Sequence, residues 1–288
     1  MSFMRTLIFT ILFLLFNFSI YSQIYTNRDV EIFNQIIKKA QTDSLQKESI
    51  GKIIVEIGKQ FIGTDYISHS LEISDRENLV VNLRKFDCTT FLDNSLVLAR
   101  LIKKNDFSFN DYTNELINER YRDGKLKKYP SRLHYFSDWL YDAEKRGLIK
   151  NITKDIGGEI YHKKIYFMSK NKKYYRQLSD DNFLEDIKKI ENEINKRKYY
   201  YIPKDRIGKA EQKIKTGDLI AITTNIGGLD ISHVGIAIKM DDGRIYYLHA
   251  PNVGKKVKIS AKPLSEYLME NKSQTGIMVA RALEPKKN

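Results

Sequence analysis

The sequence predicts an α+β protein, helices first and an antiparallel sheet after them, and three observations carry that prediction. The hydrophobic period changes from helical to alternating near Tyr199. Beyond that point come short runs rich in Ile and Val, separated by turn residues such as Asp241-Asp242-Gly243. Composition agrees: 42% hydrophobic residues, with 14 Phe, 18 Tyr and only five Pro, suit a folded globular chain with a sizeable core.

Taken in order, the chain opens with Arg5 and an apolar run from Leu7 to Phe18 that closes on Ser19-Ile20-Tyr21-Ser22. That is the pattern of a secretory signal peptide, residues 1–22, cut near Ser22. The run is shorter than the roughly 20 apolar residues a membrane span requires. Residues 23–288 are therefore expected as one exported domain, periplasmic or extracellular, with no transmembrane segment after cleavage. Thr26 to Gln41 places Val30, Phe33, Ile36, Ile37 and Ala40 on one helix face, and Ser44 to Phe61 repeats the pattern. Two extended pieces are expected at Leu71–Ser74 and Asn78–Leu83. Helices follow at Asp87–Lys104, Asn110–Arg122, Ser131–Lys145 and Asp180–Lys198. The strands are Leu219–Thr223, Ile231–Met240, Arg244–Ala250, Lys256–Ser260 and Ile277–Leu283.

The formal net charge is +13. Export argues against nucleic acid as the partner of so basic a chain. Polyanionic envelope surfaces, or a substrate with free carboxylates, fit better. A single cysteine, Cys88, rules out an intramolecular disulfide and leaves a choice between a buried hydrophobe and a reactive thiol.

Position favours the reactive thiol. Cys88 stands in Phe86-Asp87-Cys88-Thr89-Thr90-Phe91, at the first turn of a strongly apolar helix. Unpaired N–H groups there are expected to depress the thiol pKa and to stabilise an oxyanion. A base is offered by Ser232-His233-Val234-Gly235-Ile236-Ala237-Ile238, whose alternation sets His233, Gly235 and Ala237 on one face. The small residues beside His233 predict that the Cys88 helix approaches that face. His249, on the next strand across the Asp241–Gly243 turn, is expected to meet His233 and hold its ring in the productive tautomer. Nucleophile, base and orienting group would then all be present. No His, Cys and carboxylate cluster has zinc spacing, so no metal or other cofactor is expected. His69 and His162 are read as structural. Arg132, His134 and Asp138 form a polar cluster on the predicted Ser131–Lys145 helix; substrate recognition, with Arg132 suited to a carboxylate, and a solvated helix face with Asp138 paired locally are both open readings. Asp230 is read as part of a turn.

Together Gly217-Asp218-Leu219-Ile220, Ser232-His233-Val234-Gly235-Ile236, Leu248-His249-Ala250 and Asp87-Cys88 resemble the NlpC/p60 superfamily of papain-like cell-wall hydrolases. Gly63-Thr64-Asp65-Tyr66, Asn82 to Phe91, Ser131 to Trp139 and Gly228 to His233 resemble the DUF1460 family, which is similar to N-acetylmuramoyl-L-alanine amidases. The resemblance implies a nucleophile helix packed on an antiparallel sheet, with extra N-terminal and central helices. It implies Cys88 as nucleophile, His233 as base and His249 as the third polar residue. Tyr66 matches a tyrosine beside the cysteine. With Asp87, Thr89, Arg132 and His134 it is expected to serve substrate binding or the oxyanion. The implied substrate is peptidoglycan or a muropeptide, cut at the muramoyl–L-Ala amide. A stem-peptide endopeptidase cutting after D-Glu, and a catalytically silent wall-binding protein, are the rival readings.

Overall fold

Alternating apolar residues build the C-terminal third into a sheet with two different faces. The structure is a computed structural model and describes residues 22–286; the expected signal peptide, residues 1–22, lies outside the described residues but for Ser22. Its helices are α1 Asn27–Thr42, α2 Ile50–Gln60, α3 Cys88–Lys104, α4 Phe109–Arg120, α5 Phe136–Lys145, α6 Phe167–Lys170, α7 Asp181–Asn195, α8 Ile207–Ala210 and α9 Leu264–Met269. The strands are β1 Gln23–Ile24, β2 Asp65–Tyr66, β3 Leu79–Val80, β4 Lys85–Phe86, β5 Ile149–Asn151, β6 Glu159–Ile160, β7 Tyr200–Pro203, β8 Leu219–Thr224, β9 Ile231–Lys239, β10 Ile245–His249, β11 Lys258–Ile259 and β12 Gln274–Ala282.

The main sheet has eight strands in the order β11-β10-β9-β8-β12-β7-β6, with β5 also on β12. Every pairing in it is antiparallel. Two of these strands, β5 and β6, come from the stretch read as helical, and β7 follows it where no strand was expected. They are two to four residues long, too short for a period-2 signal to appear. The Leu71–Ser74 piece is turn and irregular chain, and α9 falls where only loop was expected.

One face of the sheet buries Leu219, Ala221, Val234, Ile236 and Leu248 against α2 and α3, through Ile54, Ile57, Phe91 and Leu96. The other face buries Ile220, Ile222, Ala237 and Tyr247 against Ile207 of α8 and Leu264 and Leu268 of α9. Each fully buried Leu, Ile or Phe adds about 2 kcal/mol of apolar transfer energy, so these layers fix where α3 lies. The expectation that the Cys88 helix covers the His233–Gly235–Ala237 face is therefore wrong. α3 packs on the opposite, Val234–Ile236 face. It is apolar nearly all round because it is central, between the sheet and α4. A third cluster, including Tyr135, Met168, Leu184 and Ile187, gathers the central helices around α7. Among the described residues no helix is long and apolar enough to cross a membrane.

Candidate active site

Asp87 sets the site by starting a helix. Its carboxylate accepts the Thr90 N–H at 2.7 Å, and its own N–H donates to the Thr90 hydroxyl at 3.0 Å, a reciprocal cap. The Ser70 hydroxyl donates to its other oxygen at 2.9 Å. Both oxygens are engaged, so Asp87 borders the cleft as a helix cap. What the cap fixes is the next residue, Cys88, partly exposed at the first helical position.

The Cys88 sulfur lies within reach of the Val234 N–H and of the Thr89 N–H and hydroxyl, all of which favour a thiolate. Burial outweighs them and, with the charge of Asp87, pushes the thiol up to about 12. The expected depression of this pKa does not occur. A helix N-terminus offers partial charges, whereas taking a full anion out of water costs more. At neutral pH the proton rests on sulfur.

His233 reaches the site from β9, and Nε2 of its ring lies 2.7 Å from Nδ1 of His249 on β10. The Tyr247 side chain makes this pairing possible and rigid. Its ring stands edge-on to His233 at 5.7 Å and against His249 at 4.7 Å. Gly235 leaves room for that ring, since a Cβ there would meet it at 2.8 Å and the Leu248 carbonyl oxygen at 2.6 Å. Burial lowers His233 to about 4. Burial, then the charges of His233 and Lys258, lower His249 to about 2. Both rings are neutral at pH 7.

One cleft of about 290 Å³ brings together Cys88, Thr89, His233, Arg132 and His134, with Asp87 at its border. His249 is fully buried behind His233. Tyr66 is outside the lining but close to the thiol; burial, then the charges of Cys88 and Asp87, raise it to about 12. Arg132 and His134 do not share a helix with Asp138, because α5 begins only at Phe136. Buried Arg132 is matched by Glu72 at 2.6 Å and Glu77 at 3.3 Å. Its charge is already matched inside the protein, which weighs against a receptor for a substrate carboxylate, and its burial weighs equally against a solvated helix face. Asp138 ties Arg122 and Arg197 at 2.6 and 2.7 Å. Asp230 accepts the Ser137 N–H at 2.7 Å and anchors the start of α5 to the strand that carries His233.

Further cleft residues were given no role by the sequence, although the family resemblance marks Asp93 as a departure that bears on cleft shape. Asp93 and Arg120 pair at 3.1 Å across α3 and α4. Phe136 and Trp139, with ring centroids 4.8 Å apart, form an apolar wall. His69, read as structural, stands exposed at the cleft rim. The hydrophobic spacing of Phe136 and Trp139 read simply as core. Among the described residues no three His, Cys, Asp or Glu side chains gather as a metal site.

The helix-covered antiparallel sheet thus carries a cleft that holds a thiol and one of two bonded imidazoles, groups of the kind that nucleophilic hydrolysis uses. The chain belongs to the AmiA-like family, described as N-acetylmuramoyl-L-alanine amidase-like, whose model matches residues 56–277. It is thus a peptidoglycan amidase-like protein. A solved N-acetylmuramoyl-L-alanine amidase from Bacteroides uniformis is 34% identical, covering 81% of this chain and 99% of that one at a TM-score of 0.76. A Bacteroides fragilis structure, provisionally described as a xylanase, is 36% identical over 78% of this chain and 99% of its own, with a TM-score of 0.73. A Legionella pneumophila protein of the DUF1460 family model is 25% identical over 91% and 98%, with a TM-score of 0.65. Among curated proteins none matches.

Proposed function

We propose that this protein is an exported, cysteine-dependent N-acetylmuramoyl-L-alanine amidase of papain-like, NlpC/p60 type. The observation that carries the reading is the 2.7 Å His233–His249 bond at a cleft that also holds the single cysteine. Family membership supports the substrate and the bond cut, and the leader-like residues 1–22 support export.

The neutral pair sets the order of events. His233 accepts the Cys88 proton on Nδ1 as sulfur attacks the lactyl carbonyl, since neither group is charged at rest. The oxyanion draws on backbone N–H groups at the start of α3, with Tyr66 beside them. The imidazolium gives its proton to the departing L-Ala nitrogen, and the C–N bond breaks to leave a thioester. Water, deprotonated by His233, then releases the acid and restores the thiol. His249 accepts the His233 Nε2–H throughout.

Xylan cleavage would require two facing carboxyl groups free for acid and nucleophile or base work. In this cleft Asp93 pairs with Arg120, Glu72 with Arg132, Asp230 with an N–H, and Asp87 caps a helix. The glycosidase description therefore has no pair to rest on.

Mass spectrometry of defined muropeptides, with Cys88→Ala alongside, tests the proposal. Release of an intact stem peptide with a free L-Ala amine, absent with Cys88→Ala, is the expected result. Fragments ending at D-Glu would transfer the activity to the endopeptidase class. Cleavage persisting in Cys88→Ala, or abolished by EDTA but not by iodoacetamide, would end the thiol mechanism.

A further inference from the structure

His134 stands in the catalytic cleft with one ring nitrogen used and the other open. Its Nε2 lies 3.0 Å from the Tyr129 carbonyl oxygen. A carbonyl oxygen only accepts, so Nε2 carries the proton and Nδ1 is a bare lone pair. Nδ1 has no hydrogen-bond partner among the described residues, yet it is not one of the polar atoms sealed from solvent. The residue is half-buried and borders the same cleft as Cys88 and His233.

The surroundings hold this tautomer in place. The His134 ring packs on the Tyr129 ring at 4.4 Å. Tyr129 is itself pinned, its hydroxyl donating to Glu72 at 3.1 Å and its ring lying 4.9 Å under the Arg132 guanidinium. Burial, then the charge of Arg132, keeps the imidazole well below its usual pKa, so it stays neutral and cannot become a second donor at Nδ1.

We propose that His134 is a specificity-determining residue that accepts, on Nδ1, a hydrogen bond from an amide N–H of the bound substrate. The inference rests on the amidase reading and says which group of that substrate the cleft selects. Besides the scissile amide, two secondary-amide N–H groups of a muramoyl peptide offer this chemistry: the amide joining the first two stem residues, and the acetamido group of the sugar.

Two substitutions separate recognition from scaffolding. His134→Asn places an oxygen near the Nδ1 position and gives up the bond to Tyr129. His134→Gln keeps a donor near the Nε2 position for Tyr129 and gives up the Nδ1 acceptor. Each is made in a Cys88→Ala background, so that binding is read without turnover. Calorimetry with N-acetylmuramoyl-L-alanyl-D-isoglutamine is expected to show about 10-fold weaker binding for His134→Gln and near-unchanged binding for His134→Asn. Methylating the peptide nitrogen, or replacing the acetamido group by hydroxyl, identifies the source. One of them should weaken binding to the His134 protein by about 10-fold and leave the His134→Gln protein indifferent. The reverse order of the two variants, or equal sensitivity to both probes with and without His134, overturns the inference while the amidase reading stands. No binding of the muropeptide by the Cys88→Ala protein overturns both.

Discussion

Replacing His249 by alanine tests the catalytic reading at its centre. In the proposed mechanism His233 takes the thiol proton on Nδ1, so its Nε2 must carry hydrogen and donate it to His249 across 2.7 Å. That bond strengthens as the imidazolium forms, because its donor becomes charged. A hydrogen bond to a charged group is worth about 1.5–3 kcal/mol, and roughly 1.4 kcal/mol is tenfold in rate. His249→Ala should therefore lower kcat by about 10- to 150-fold with little change in KM. His249→Asn, whose side-chain oxygen can accept the same proton, should recover most of that loss. The assay is steady-state release of L-Ala-terminated peptide from a defined muropeptide, with circular dichroism and Tm to confirm folding. Both variants gain stability in one respect: buried His249 Nε2 has no partner, and losing the ring removes that orphan group. A kcat for His249→Ala within twofold of the parent, in a folded protein, would refute the orienting role and the tautomer assignment together.

The histidine pair also predicts pH behaviour. Burial holds His233 at about 4 against an ordinary 6.5, so between those values the unfolded chain binds the extra proton. Its contribution is complete above pH 6.5 and is lost as pH falls toward 4; the shift corresponds to about 3 kcal/mol. Urea titrations from pH 7 to 4 should show that fall, and a flat profile would contradict it. Because the thiol is pushed up to about 12, iodoacetamide alkylation of Cys88 should accelerate nearly tenfold per pH unit from 7 to 9; a plateau near pH 7 would reveal a resting thiolate. Gly235→Ala forces Tyr247 and the Leu248 carbonyl apart. It should cost about 1–3 kcal/mol in denaturant titration and lower kcat through the displaced histidines. Asp230→Ala leaves the Ser137 N–H without its acceptor and should lower stability by about 1–2 kcal/mol, read as Tm.

What the sequence determined by itself is local. Asp87 and Thr90, three residues apart, carry the chemistry of a helix cap, so Cys88 was bound to sit at a helix start. Period-2 alternation put His233 and Gly235 on one face of a strand, and the Asp-Asp-Gly turn made the next strand return with His249 on that same face. These relations run through a few covalent links, and backbone geometry alone settles them. Tertiary structure decided the rest. Which face of the sheet α3 covers depends on which apolar layer α2, α8 and α9 leave open to it. Arg132 read equally as a receptor or as part of a solvated face until Glu72 and Glu77, remote in sequence, were folded against it. The thiol kept its proton because a pKa answers to every atom that displaces water around the sulfur, and no single neighbour in the chain carries that sum.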